Sequence, residues 1–177
     1  MTIDVQTAGP DPAGRKPAPG PLGLVQAFVN TVSLRTEGRD LLTDRPAAVG
    51  WFRGAGVLPP DPVVVTTSEH AGLLRLRDAL RAILVARTEG HEDEAASAIL
   101  TRSFADGRLV LTMDAAAGAH WATAARAPYP SMIAAMAIAI AESATAGTWP
   151  YLRACAAADC GWAFYDESAA TRCSPGH

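Results

Sequence analysis

Three observations predict a mainly α-helical fold with a small β-hairpin, an α+β arrangement that closes on a cysteine-bearing C-terminal module. Apolar residues make up 49% of the 177-residue chain but aromatics only 6%, so the interior should be built of close-packed helices rather than large rings. Apolar positions recur at spacings of three and four through several segments. All 3 cysteines lie at or beyond position 155.

The elements follow in order. Residues 1–21 are rich in Pro and Gly and carry no apolar block of signal-peptide type, which predicts a disordered leader. In residues 22–34, Leu24, Phe28 and Val32 with Val25 and Val29 share a helical face. Pro46 suits a first helical position and Gly54 and Gly56 a stop, bracketing a short helix with Val49, Trp51 and Phe52. Between residues 67 and 88, Leu73, Leu76, Leu80, Ile83 and Leu84 mark a long helix, with Ser68 as its expected cap and Gly90 as its end. Residues 92–100 suggest another short helix. Asp106-Gly107 between two β-prone runs predicts a hairpin turn, and HWATAA (residues 120–125) a third strand. Pro130 then opens a small-residue central helix ending at Gly147.

Charge bounds the function. A formal net charge of −3 with a pI near 5.8 lacks the basic surplus that draws a protein onto phosphate backbones without regard to sequence. The uncharged, Ala-rich stretch at residues 127–141 is shorter than the roughly 20 apolar residues of a membrane span, so no membrane partner is expected. Three clustered cysteines without a secretory signal argue for reduced thiols in the cytoplasm rather than a disulfide framework.

The chemistry concentrates at residues 155–177. Cys155 and Cys160 form a C-x4-C pair, Cys173 follows after twelve residues, and His177 closes a C-x3-H. Zinc takes four soft or borderline ligands in a tetrahedron, commonly two from a tight turn and two from a second short segment, and this spacing fits. Gly161, directly after the second cysteine, suits a backbone that turns through positive φ around a metal. Trp162 and Phe164 alternate with Ala163 and Tyr165 as in a short strand over a small core. A redox reading would need a low-pKa C-x-x-C pair beside a βαβ unit, and a catalytic zinc a nearby carboxylate motif; the sequence has neither. Simple burial of inert thiols is the remaining alternative.

Elsewhere the candidates are weaker. Arg75, Arg77 and Arg81 make the long helix locally basic and could meet a phosphate or acidic ligand, although an ion pair with Asp78 on a solvated face is the commoner use of such spacing. Asn30 and Thr31 could line a ligand pocket, or simply cap and pack locally. His70, His91 and His120 are each isolated. There is no P-loop, no G-x-S-x-G elbow and no dinucleotide fingerprint, hence no enzyme signature.

Several of these segments together resemble a known family. FVNT (residues 28–31), the Trp51-Phe52 helix with its AGVL exit, LLRLRDALRAIL (residues 73–84), and CAAADCGWAFYDES followed by RCS are similar to the bacterial CGNR zinc-finger proteins, which carry an N-terminal ABATE domain and are regarded as stress-induced transcriptional regulators. The resemblance implies an ABATE-like helical domain over residues 22–148 and an incomplete zinc finger over 149–177. It implies zinc at Cys155, Cys160 and Cys173, DNA as partner through a basic tail, and a small-molecule effector; separately, the sequence leaves a homodimer open. Members of the family continue to a fourth Cys inside the CGNR tetrad and then to that tail, whereas this chain ends in CSPGH. His177 stands one position before the family's fourth ligand, so it either replaces it or is only the last residue. The expected function is transcriptional regulation; a small-molecule-binding protein or biosynthetic enzyme using a pocket in the helical domain is the alternative.

Overall fold

The computed structural model describes residues 17–34 and 40–167; most of the expected leader, residues 1–16, lies outside them. Among the described residues the architecture is mainly α with two small antiparallel sheets: α1 (Leu22–Val29), α2 (Arg45–Gly54), α3 (Thr67–Glu89), α4 (Glu94–Ala105), β1 (Leu109–Met113), β2 (Ala119–Thr123), α5 (Pro128–Thr145), a single 3-10 turn at Trp149–Tyr151, β3 (Leu152–Ala154) and β4 (Ala163–Tyr165).

Local chemistry sets the helix ends. Asp44 caps α2 by accepting from the Ala47 N–H, and Pro46 occupies the first turn, where no backbone donor is needed. The cap of α3 is Thr66 rather than Ser68. Its hydroxyl accepts from the Glu69 N–H while the Glu69 carboxylate accepts from the Thr66 N–H at 2.7 Å, a reciprocal capping box. Gly90 ends α3 at φ 78. α4 starts later and runs further than its apolar spacing suggests, because Asp93 caps it by accepting from Ala96. α5 begins at Pro128, two residues before the predicted start.

The Asp106-Gly107 pair is the exit of α4, not the hairpin turn. The turn lies at residues 114–118, where the Asp114 carboxylate accepts from the Ala116 and Gly118 N–H groups, both at 2.8 Å. HWATAA therefore supplies the second strand of that hairpin, with Leu111 opposite Trp121.

One continuous core joins α1, α2, α3 and α5. Phe28 packs on Trp51 and Phe52 with ring centroids 5.7 and 5.5 Å away. α1 lies between α3 and α5, α3 also packs against α4, and the second sheet closes on α1 and α3. Leu152, Ala154 and Ala163 of β3 and β4 are buried within this same core. No helix of the described residues is long and apolar enough to cross a membrane.

Candidate metal hairpin and its clamp

β3 and β4 pair antiparallel, Leu152 with Tyr165, Arg153 with Phe164 and Ala154 with Ala163. The turn between them presents Cys155 and Cys160, both buried, in a small cluster with Trp162 and Phe164. Two backbone bonds shape it: Cys155 N–H to Trp162 O at 3.0 Å, and Cys160 N–H to Ala157 O at 2.9 Å. Gly161 takes φ +56, and a Cβ there would stand 2.8 Å from Arg81 Cδ. Both the left-handed backbone and the close approach require glycine.

Two thiols at the ends of one short turn are a donor pair that could supply two of the four ligands of a tetrahedral metal site. The Trp162 indole N–H is buried with no acceptor among the described residues, and its ring packs against the Cys155, Cys160 and Phe164 cluster. Cys173 and His177, the other expected ligands, lie outside the described residues, and no group of three metal-ligating side chains is found among the described ones.

The hairpin is gripped by side chains of the helical domain. Asn30, at the end of α1, donates to Ala163 O at 2.9 Å and accepts from Ala163 N–H at 2.7 Å, acting as an extra strand residue beside β4. Gln26, one turn earlier, also donates to Ala163 O and accepts from the Ala18 N–H. Arg81 reaches Gly161 O and Val29 O, tying the cysteine turn to the end of α1. On the opposite strand Arg87 donates to Trp149 O and Leu152 O, both at 2.8 Å, with its guanidinium 4.6 Å above the Trp149 ring. Thr88 donates to Ala154 O at 2.7 Å.

Thr31 and Arg77 belong to the layer behind. Arg77 is buried, its guanidinium 2.7 Å from Asp40 and 3.2 Å from the Thr31 hydroxyl. Burial alone would raise the Asp40 pKa, but the Arg77 hydrogen bond, the Leu42 N–H and the charges of Arg77 and Arg81 outweigh it, holding the carboxyl below its usual range. Burial pulls the Arg81 guanidinium below its ordinary value, with Asp78 at 3.3 Å opposing. Burial and then the neighbouring Arg153 lower Arg87 in the same way.

Of the sequence-predicted candidates, Cys155, Cys160, Asn30, Thr31, Arg77 and Arg81 thus converge on one region, where four of them engage the chain's own backbone and carboxylates. Arg75 stands apart and exposed on α3. Arg87 and Thr88 carry no motif that marks them in the sequence, whereas Gln26 and Asn30, four apart on an otherwise apolar α1, are a legible signal of a buried polar contact. The histidines serve locally: His70 meets Leu42 O, His91 meets Glu89, and His120 meets Asp114.

A helical domain whose first and third helices clamp a cysteine-bearing hairpin is therefore the class of molecule at hand. Among known protein families, residues 22–147 match the ABATE family, described as "Putative stress-induced transcription regulator", and the chain belongs to that family. The match ends before β3, so it contains the clamp residues but not the hairpin they hold. No curated protein matches the chain.

Proposed function

We propose that this chain is a transcriptional regulator in which Cys155, Cys160 and Cys173, with His177 as the candidate fourth ligand, hold a structural zinc ion, and in which the helical domain senses an effector. The observation that carries the reading is the paired, buried placement of Cys155 and Cys160 on a turn that Arg81 and Asn30 hold by its backbone. A metal at this turn would be structural: it would fix the hairpin against the clamp, and binding to so small a segment contributes on the order of 10 kcal/mol of folding free energy.

The sensing part is supported by a cleft of about 480 Å³ between α5, β2 and the loop after α2, walled by Trp121, Leu24 and Ile138 with Ser131 and Glu142 as polar points. Such a lining suits a small, mostly apolar molecule with one hydrogen-bond donor or cationic group. DNA as the regulated partner remains part of the reading through the family, not through a basic surface of the hairpin.

Metal analysis of the purified chain is expected to give about one zinc per molecule, as one four-ligand site requires. Cys155→Ser and Cys160→Ser should each lose it. His177→Ala should speed zinc loss to a chelator while the helical domain stays folded. A metal-free protein with an unchanged C-terminal hairpin would overturn the zinc reading.

A further inference from the structure

The β1–β2 hairpin carries a feature that neither the clamp nor the cleft uses. β2 lies against α5, which leaves β1 as the outer strand, and among the described residues β2 is its sole strand neighbour. Antiparallel partners alternate between pairs that exchange hydrogen bonds and pairs that do not. Ala124 N–H donates to Arg108 O and Asp114 N–H to Gly118 O. With the observed register, the backbone groups of Arg108, Val110, Thr112 and Asp114 therefore face β2, and those of Leu109, Leu111 and Met113 face outward.

Outer strands are normally blunted by a lysine, a proline or a bulge, because an unprotected row of N–H and C=O groups pairs with another strand. β1 reads LVLTM and has none of these. Leu111 is 57% and Met113 62% exposed, beside a half-exposed Trp121 on the same face.

We propose that this edge pairs with the β1 edge of a second copy of the chain, antiparallel about a two-fold axis at Leu111, forming a four-stranded sheet across the dimer. The charge pattern selects this partner and this register. Centring on Leu111 sets Leu111 against its own copy and Leu109 against Met113, and brings Arg108, which precedes the strand at φ 46, to the end where Asp114 of the second copy follows its strand, twice by symmetry. The outward-facing backbone groups of Leu109, Leu111 and Met113 are themselves symmetric about Leu111, so donors meet acceptors along the pairing. Arg108 is exposed, and Asp114 is held in place by the Ala116 and Gly118 N–H groups and by His120 at 2.9 Å. The same operation on β2, centred on Trp121, brings no opposite charges together. A pairing of five residues buries less than the roughly 1,600 Å² of a standard interface, so the dimer is weak and concentration-dependent.

Sedimentation equilibrium of the full chain tests this. The wild type should show a monomer–dimer equilibrium. Leu111→Lys, which places two cations together at the axis, and Arg108→Glu, which turns both end pairs into repulsions, should each weaken it by about tenfold or more, with unchanged circular dichroism. Leu111→Cys should form an intermolecular disulfide mapped to position 111 on mild oxidation, because opposed residues of such a pair lie about 5.5 Å apart at Cα. Thr112→Cys, offset from its own copy, should not. A wild type that is monomeric at every accessible concentration, a dimer indifferent to Leu111→Lys, or equal crosslinking at positions 111 and 112 would each overturn the proposal.

Discussion

The Arg77–Asp40 pair shows how much a single buried charge can decide. The Arg77 side chain is only 6% exposed, and its 2.7 Å contact with the partly buried Asp40 is its main compensation. Removing one partner strands the other in a low-dielectric setting, which costs more than the pair contributes as a whole. Because Asp40 is held below its ordinary pKa, its contribution is present above the unfolded-state value near 3.9 and is lost as pH falls through the folded-state value. Asp40→Asn is therefore expected to lower stability at neutral pH by about 2 kcal/mol, and to flatten the loss of stability below pH 4 relative to the wild type. Thermal melts across that range check both. Parallel curves for the two proteins would show that the carboxylate does not carry the effect.

Among the elements, the link between α1 and β4 is the one on which the hairpin depends. Asn30 supplies both a donor and an acceptor to Ala163, and both backbone groups are buried. Asn30→Ala leaves the Ala163 N–H without its acceptor and Ala163 O with only the longer bond from Gln26, so a loss of about 2 kcal/mol is expected, together with faster zinc release to a chelator. Asn30→Asp, which keeps the acceptor but loses the donor, should fall between. If zinc retention is unchanged in both variants, the clamp does not support the metal turn. The helices were largely legible, because each combines an apolar period with a capping or terminating residue: Asp44 with Pro46, or Gly90 after the leucines of α3. The first hairpin was misplaced because Asp-Gly signals a turn without saying which elements it joins; the small residues at 115–118 hide the real turn, which Asp114 organises through its own side chain. The purpose of Asn30, Arg77 and Arg81 was illegible for a related reason. Sequence spacing shows which residues share a helix face, whereas Asn30 meets a carbonyl 133 positions away and Arg81 one 80 positions away.

At the scale of the whole molecule, the family and the charge distribution pull in different directions on DNA. From Tyr151 onward the cations are Arg153 and Arg172, against Asp159, Asp166 and Glu167. The helices that hold the hairpin do not make up the difference, since Arg77, Arg81 and Arg87 point inward at a carboxylate or at carbonyl oxygens rather than out at solvent. Each neutralised phosphate contributes about 0.9 to the slope of log affinity against log salt, and an ordinary duplex binder makes about 6–10 such contacts. Two cations beside three acids cannot sustain that, and dimerisation through β1 would double both numbers without changing their ratio. The 177-residue chain by itself is therefore expected to bind duplex DNA weakly at physiological salt, with a shallow salt dependence. Fluorescence anisotropy on labelled duplexes over a salt series measures both. A chain extended at its C-terminus by a basic segment should bind more tightly, with a steeper slope. Tight, steeply salt-dependent binding by the 177-residue chain alone would refute the expectation and would place the contact on exposed arginines of the helical domain such as Arg75 and Arg102.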